Sequence, residues 1–123
     1  MRAPTRTLAP LLAALLLTAA CGGTPTVRAK SGSVTVTLDD YLIRPQRIEV
    51  PKGKELTVTV VNRGRLGHTF RIRSANHNVM NLTTIPPGGT KTRSFKLAAG
   101  NYTMYCALSN HEELGMSGTF IVG

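Results

Sequence analysis

A chain of 123 residues has room for one domain but not for two comfortable ones. It carries 15 Lys+Arg against 6 Asp+Glu, a formal net charge of +9, yet the basic residues are scattered instead of clustering with aromatics, which argues against nucleic-acid binding. Three histidines are too few to build several metal centres in one chain.

Taken from the start, Arg2 and Arg6 precede an apolar run of Leu and Ala over 8–20. That run is shorter than the roughly 18 apolar residues a spanning helix needs, and it ends in small residues, as a secretory signal does. The segment Leu17-Thr18-Ala19-Ala20-Cys21 resembles a bacterial lipobox, with Thr18 where a Leu is usual. The resemblance implies a lipoprotein-type signal peptide over 1–20, lipidation of Cys21, and anchoring at the periplasmic or extracellular face of a bacterial membrane. Residues 21–33, rich in Gly, Thr, Ser and Pro and without an apolar period, are then expected to be a flexible tether. Without Arg2 and Arg6 the chain holds 13 Lys+Arg against 6 Asp+Glu, about +7, which suits acidic partners or an anionic surface. With Cys21 lipidated, Cys106 is the one cysteine of the folded part, and an unpaired thiol in an oxidising compartment calls for a chemical reason.

The domain expected over 34–123 alternates with period two. Val34, Val36 and Leu38 interleave with Thr35 and Thr37, and Leu56, Val58 and Val60 with Thr57 and Thr59. Further strands are predicted over 47–50, 69–72, 92–97, 102–106 and 119–122. They are separated by Pro51-Lys52-Gly53, Gly64 and Gly67, Pro86-Pro87-Gly88-Gly89, and Gly100-Asn101. The polar stretch 74–87 is expected to be an irregular crossing loop, and its His77 a solvated side chain. No segment has a capped helical period. The pattern predicts an all-β antiparallel sandwich or barrel of about seven to eight strands.

Strand phase then locates chemistry. His68 shares the parity of Phe70 and Ile72, and Cys106 that of Tyr102 and Met104, so alternation aims both side chains inward at strand ends. Ten residues after Cys106 the chain has supplied His111 and Met116 as well. Zinc has little use for a thioether. One thiolate, two imidazoles and a thioether are instead the donors of a trigonal His₂Cys electron-transfer copper centre with a weak axial Met. Met80 and Met104 read as packing residues.

The Cys-x₄-His-x₄-Met spacing of Cys106, His111 and Met116 resembles the ligand loop of the cupredoxin family, and Gly67-His68-Thr69-Phe70 resembles its first-ligand motif. The loop spacing is nearest that of sulfocyanin-like proteins. Plastocyanin and azurin have Asn after the first His, where this chain has Thr69. The resemblance implies a Greek-key fold, and one copper ion cycling between Cu(I) and Cu(II) on His68, Cys106, His111 and the axial Met116. It also implies a weak backbone contact from Gly67, as in azurins, and His111 as the electron port.

The function expected is an electron carrier, not an enzyme, monomeric and working with redox protein partners. An apolar patch of Leu66, Ala107, Leu108 and Leu114 around His111 would serve brief docking. Copper delivery or storage through the same site is the alternative, although no cluster of Met and His suited to ligand exchange is present. A thiolate enzyme built on Cys106 would lack an orienting third group and leave Met116 without a role.

Overall fold

The computed structural model describes residues 2–4 and 22–123, so the expected signal run and Cys21 lie outside the described residues. Among the described residues ten strands follow in chain order: β1 (Val27–Arg28), β2 (Ser33–Asp39), β3 (Leu42–Arg44), β4 (Arg47–Val50), β5 (Leu56–Asn62), β6 (His68–Ser74), β7 (His77–Ile85), β8 (Thr90–Phe95), β9 (Gly100–Tyr105) and β10 (Ser117–Val122). They form two facing sheets, one of six strands in the order β1-β4-β10-β9-β6-β7 and one of four in the order β3-β2-β5-β8. Most neighbours are antiparallel, but β2 with β5, β4 with β10, and β1 with β4 run parallel.

Alternation builds the core. Val36 and Leu38 of β2 and Leu56, Val58 and Val60 of β5 point inward from the smaller sheet, while Thr57 and Thr59 stay on its outer face. Ile48, Val50, Phe70, Ile72, Met104, Phe120 and Val122 face them from the larger sheet. Each such side chain gives about 1.5–3 kcal/mol when withdrawn from water. On the outer face, Thr57 and Thr59 bond Ser94 and Thr92 across to β8, adding specificity of register where packing adds none.

Every strand expected from period two is present, and three more are added. The largest departure is 74–87, which is not an irregular loop: 77–85 is the edge strand β7, paired with β6 from Ser74–His77 to His68–Ile85. Its buried residues Met80, Leu82 and Ile85 fall at spacings of two and then three, because register shifts interrupt the pairing. An edge strand with one wet face is also polar by composition. The β6–β7 turn is made by Ala75-Asn76, with Ala75 at φ 47°, so no glycine advertises it.

Within the stretch expected to be a tether, Val27 and Arg28 pair with Ile48 and Glu49, and the Ala29 N–H donates to the Glu49 carbonyl. Within that stretch, residues 22–26 precede the first paired residue. β3 was too short, at three residues, to show a period.

Phe120 lies wholly buried in the middle of β10, its ring centroid 6.4 Å from that of Phe95. Phe120→Ala is expected to lower unfolding stability by about 3–5 kcal/mol, as a cavity in a packed core does. A drop of the urea midpoint at unchanged slope checks it.

Candidate metal centre

His68 opens β6 and Cys106 follows the last residue of β9, two strands that pair directly with Arg71 across from Tyr105 and Ile72 across from Met104. This register brings the two ends to one pole of the sandwich. Both side chains are buried, His68 at 0% and Cys106 at 1% exposure, as their parity predicted. Cys106 was expected as the final strand residue and is instead the first beyond it, yet its N–H still donates to the Met116 carbonyl.

His111 reaches the same point from the loop between β9 and β10. That loop is wound into turns: the His111 N–H donates to Leu108, Leu114 N–H to Asn110, Gly115 N–H to Glu112, and Met116 N–H to His111. Gly115, at φ 127°, permits the last of these reversals. Met116 is fully buried at the end of the loop. The ligand atoms of His68, Cys106 and His111 all lie within 4.8 Å of one another.

The spacing of these atoms tests whether an ion fits. His68 Nδ1 is 3.2 Å from His111 Nδ1, and Cys106 Sγ is 4.0 Å from the first and 3.7 Å from the second. Metal–nitrogen bonds of about 2.0–2.1 Å and a metal–sulfur bond of about 2.3 Å around a trigonal ion would set nitrogens about 3.5 Å apart and sulfur about 3.8 Å from each. The three donors therefore fit one small soft-to-borderline cation. Their chemistry, thiolate with two imidazoles and a thioether close in sequence, fits copper better than zinc.

A ring of supporting groups holds the donors. Thr69, the residue after His68, buttresses the loop itself. Its hydroxyl accepts the Ala107 N–H at 2.8 Å, its backbone N–H points at Cys106 Sγ at 3.4 Å, and the hydroxyl also lies 3.7 Å from that sulfur. Arg73 binds Glu112 through both guanidinium ends and covers the Tyr105 ring at 4.2 Å, clamping the residue after His111 to the outer face of β6. Glu112 is thus an ion-pair partner instead of a free loop charge.

Sequence reasoning missed Arg73 and three further supporting residues. Asn62 is fully buried; its amide donates to the Leu66 and Ile85 carbonyls and its oxygen accepts the Gly64 N–H. A signal for it existed, since Asn62 continues the inward parity of Leu56, Val58 and Val60 as a polar residue. Asp40 bonds His68 Nε2 at 2.8 Å, and Tyr41 meets His111 edge-on with ring centroids 5.1 Å apart. Neither could be found from sequence, because the β2–β3 turn reaches the site only through the sheet topology.

Asp40 also accepts the N–H groups of Arg65 and Leu66. The Arg65 N–H, followed by the His68 ring, holds its carboxyl below the ordinary value of 3.8. With Nε2 hydrogen-bonded to this carboxylate, Nδ1 is the ring nitrogen of His68 that faces the centre. Of the other sequence candidates, Gly67 precedes β6, packed so that a Cβ there would come within 3.0 Å of the Thr84 methyl. His77 is exposed at the start of β7, at the opposite pole, and Met80 and Met104 are buried in the core. Among the described residues Cys106 is free of any disulfide.

The sequence pattern of the cupredoxin-like domain matches residues 10–122, and the chain belongs to that family of copper proteins. Its fold is that of two solved structures in particular. Reduced auracyanin from Roseiflexus castenholzii superposes with a TM-score of 0.70 at 18% identity, over 77% of this chain and 99% of auracyanin. Rusticyanin from Thiobacillus ferrooxidans gives 0.69 at 22% identity, over 83% and 84% of the two chains. A multicopper oxidase shares the fold over 41% of its length, at 20% identity and a TM-score of 0.62. A search of curated protein sequences gives no match.

Thr69→Ala, which leaves the Ala107 N–H without its acceptor, should cost the metal-free protein about 1–3 kcal/mol, while Thr69→Ser retains most of it; urea unfolding of both variants checks this. The lowered Asp40 pKa contributes stability that is complete above the unfolded value near 3.8 and lost as pH falls through the lower folded value. The metal-free wild type should therefore unfold at higher urea than Asp40→Asn near pH 6, with the gap closing as pH drops below about 3.8.

Proposed function

We propose that the protein is a single-electron carrier whose one copper ion is held by His68, Cys106 and His111, with Met116 as the weak axial ligand. The observation that carries this reading is the convergence of three donor atoms within 4.8 Å at one pole, two of them buried, from a chain of the cupredoxin-like family. Bound copper would supply a Cu(I)/Cu(II) couple, which soft sulfur and imidazole donors accommodate in both states.

What the chain contributes is constraint. β6 and β9 fix His68 and Cys106, the turns of the 107–116 loop fix His111 and Met116, and the Thr69 N–H tempers the charge on the Cys106 sulfur. Ligands held in this way rearrange little when the charge at the site changes by one. His111, half-buried where His68 is wholly buried, offers the electron its way out. Of the residues expected to surround it, Leu66, Ala107 and Leu114 are exposed and Leu108 is half-buried, and the exposed Tyr41 stands beside the ring. A small apolar surface of this kind supports short-lived docking to a redox protein. The net positive charge favours a partner with acidic groups near its own docking surface. Export and lipid attachment at Cys21 would place this exchange at the outer face of a bacterial membrane.

Adding Cu(II) to the protein should produce an intense visible thiolate-to-copper band that ascorbate bleaches and an oxidant restores. Cys106→Ser should abolish the band. A band of undiminished strength in that variant would sink the proposal.

A further inference from the structure

The turn between β2 and β3 touches both imidazoles of the centre, His111 through the Tyr41 ring and His68 through the charge of Asp40. Its Oδ1 is 2.8 Å from His68 Nε2, while its two oxygens receive the N–H groups of Arg65 at 2.8 Å and Leu66 at 3.3 Å. The carboxylate is therefore held from the loop behind His68, and that loop is itself pinned by the buried Asn62 through Gly64 and Leu66. Space for it is provided by the absence of a side chain at residue 64. A Cβ there would overlap Asp40 Oδ1 and stand 3.0 Å from His68 Nε2. The arrangement thus depends on three separate parts of the chain: residue 40, residues 62–66 and residue 68.

A neutral carbonyl would satisfy an imidazole N–H equally well as a hydrogen-bond acceptor. Asp40 adds a full negative charge one imidazole ring away from the proposed ion, fixed there by its bonds to the Arg65 and Leu66 N–H groups and to His68. Such a charge stabilises a doubly charged ion more than a singly charged one, and it raises the donor strength of the opposite ring nitrogen. The geometry points to Asp40 as a positioning residue that biases the centre toward its oxidised state. This inference rests on the copper reading given above. Next to it, Asp39 carries the same charge without bonding to His68, which supplies an internal comparison.

The test compares the full-length protein with Asp40→Asn, Asp40→Ala and Asp39→Asn, each loaded with Cu(II). Three quantities are read: the visible band, the reduction potential by spectroelectrochemical titration, and the dissociation constants of Cu(II) and Cu(I) by competition with chelators. Asp40→Asn keeps an oxygen for the His68 N–H and removes the charge. It should retain the band while weakening Cu(II) at least about tenfold more than Cu(I), an increase of about 59 mV in potential for a one-electron couple. Asp40→Ala should shift the ratio in the same direction, and Asp39→Asn should shift it much less.

Equal weakening of both oxidation states by Asp40→Asn, leaving the potential where it was, would reduce Asp40 to a prop for the loop and overturn the inference. So would an equal rise in potential from Asp39→Asn, because general charge would then explain it. Absence of the band in the unaltered protein would overturn the copper reading and this inference with it. A normal band with an unmoved potential would overturn the inference alone.

Discussion

The register between β6 and β9 is the constraint from which the rest of the centre follows. With Arg71 opposite Tyr105 and Ile72 opposite Met104, continuation of the pairing sets Thr69 across from Ala107 and leaves His68 and Cys106 one diagonal step apart on the inner face. A slip of one residue between them would turn one donor outward, His68 if β6 moved or Cys106 if β9 did. The hydrophobic pattern forbids that slip, since Phe70 and Ile72 in the one case or Met104 in the other would leave the core with it. The large apolar side chains thus locate the small polar ones.

Three electron-pair donors facing one another in a buried pole are costly unless something answers them. The protein answers part of the need itself. Asp40 accepts a hydrogen bond from His68 Nε2, Thr69 directs an N–H at the Cys106 sulfur, and Asn62 is satisfied on both ends of its amide. The two inner ring nitrogens and the sulfur face one another at separations that match those around a single cation. The supporting bonds and the donors therefore solve one problem together: they fix tautomer and direction, and leave a cation as the natural partner.

How much of this could be read from the chain follows from range. Period-two runs announced the strands with one fully buried face, and parity aimed His68 and Cys106 inward before any fold was known. The ligand loop was legible because its three donors lie close in sequence. β7 was not, since a wet edge strand with register shifts loses its alternation, and its turn rests on Ala75 without a glycine. Asp40 and Tyr41 were not legible for another reason. Nothing near residue 40 in sequence tells that β2 will lie parallel to β5 and carry that turn to the histidines. The paired donors are a local message; the groups that tune them are a message of topology.

The direction of β1 has a consequence for reach. Because β1 runs parallel to β4, whose first residue pairs beside the start of β10, the chain ahead of Val27 departs toward the same end of the sandwich as the donor cluster. Thr24 and Pro25 rest there, beside Leu42, Arg44, Pro45 and Gln46. Residues 22–26 extend to less than about 20 Å even when drawn straight. A domain moored at Cys21 would swing on this short leash with its donor end turned toward the mooring, so that only molecules in the layer just above that surface come within its arc.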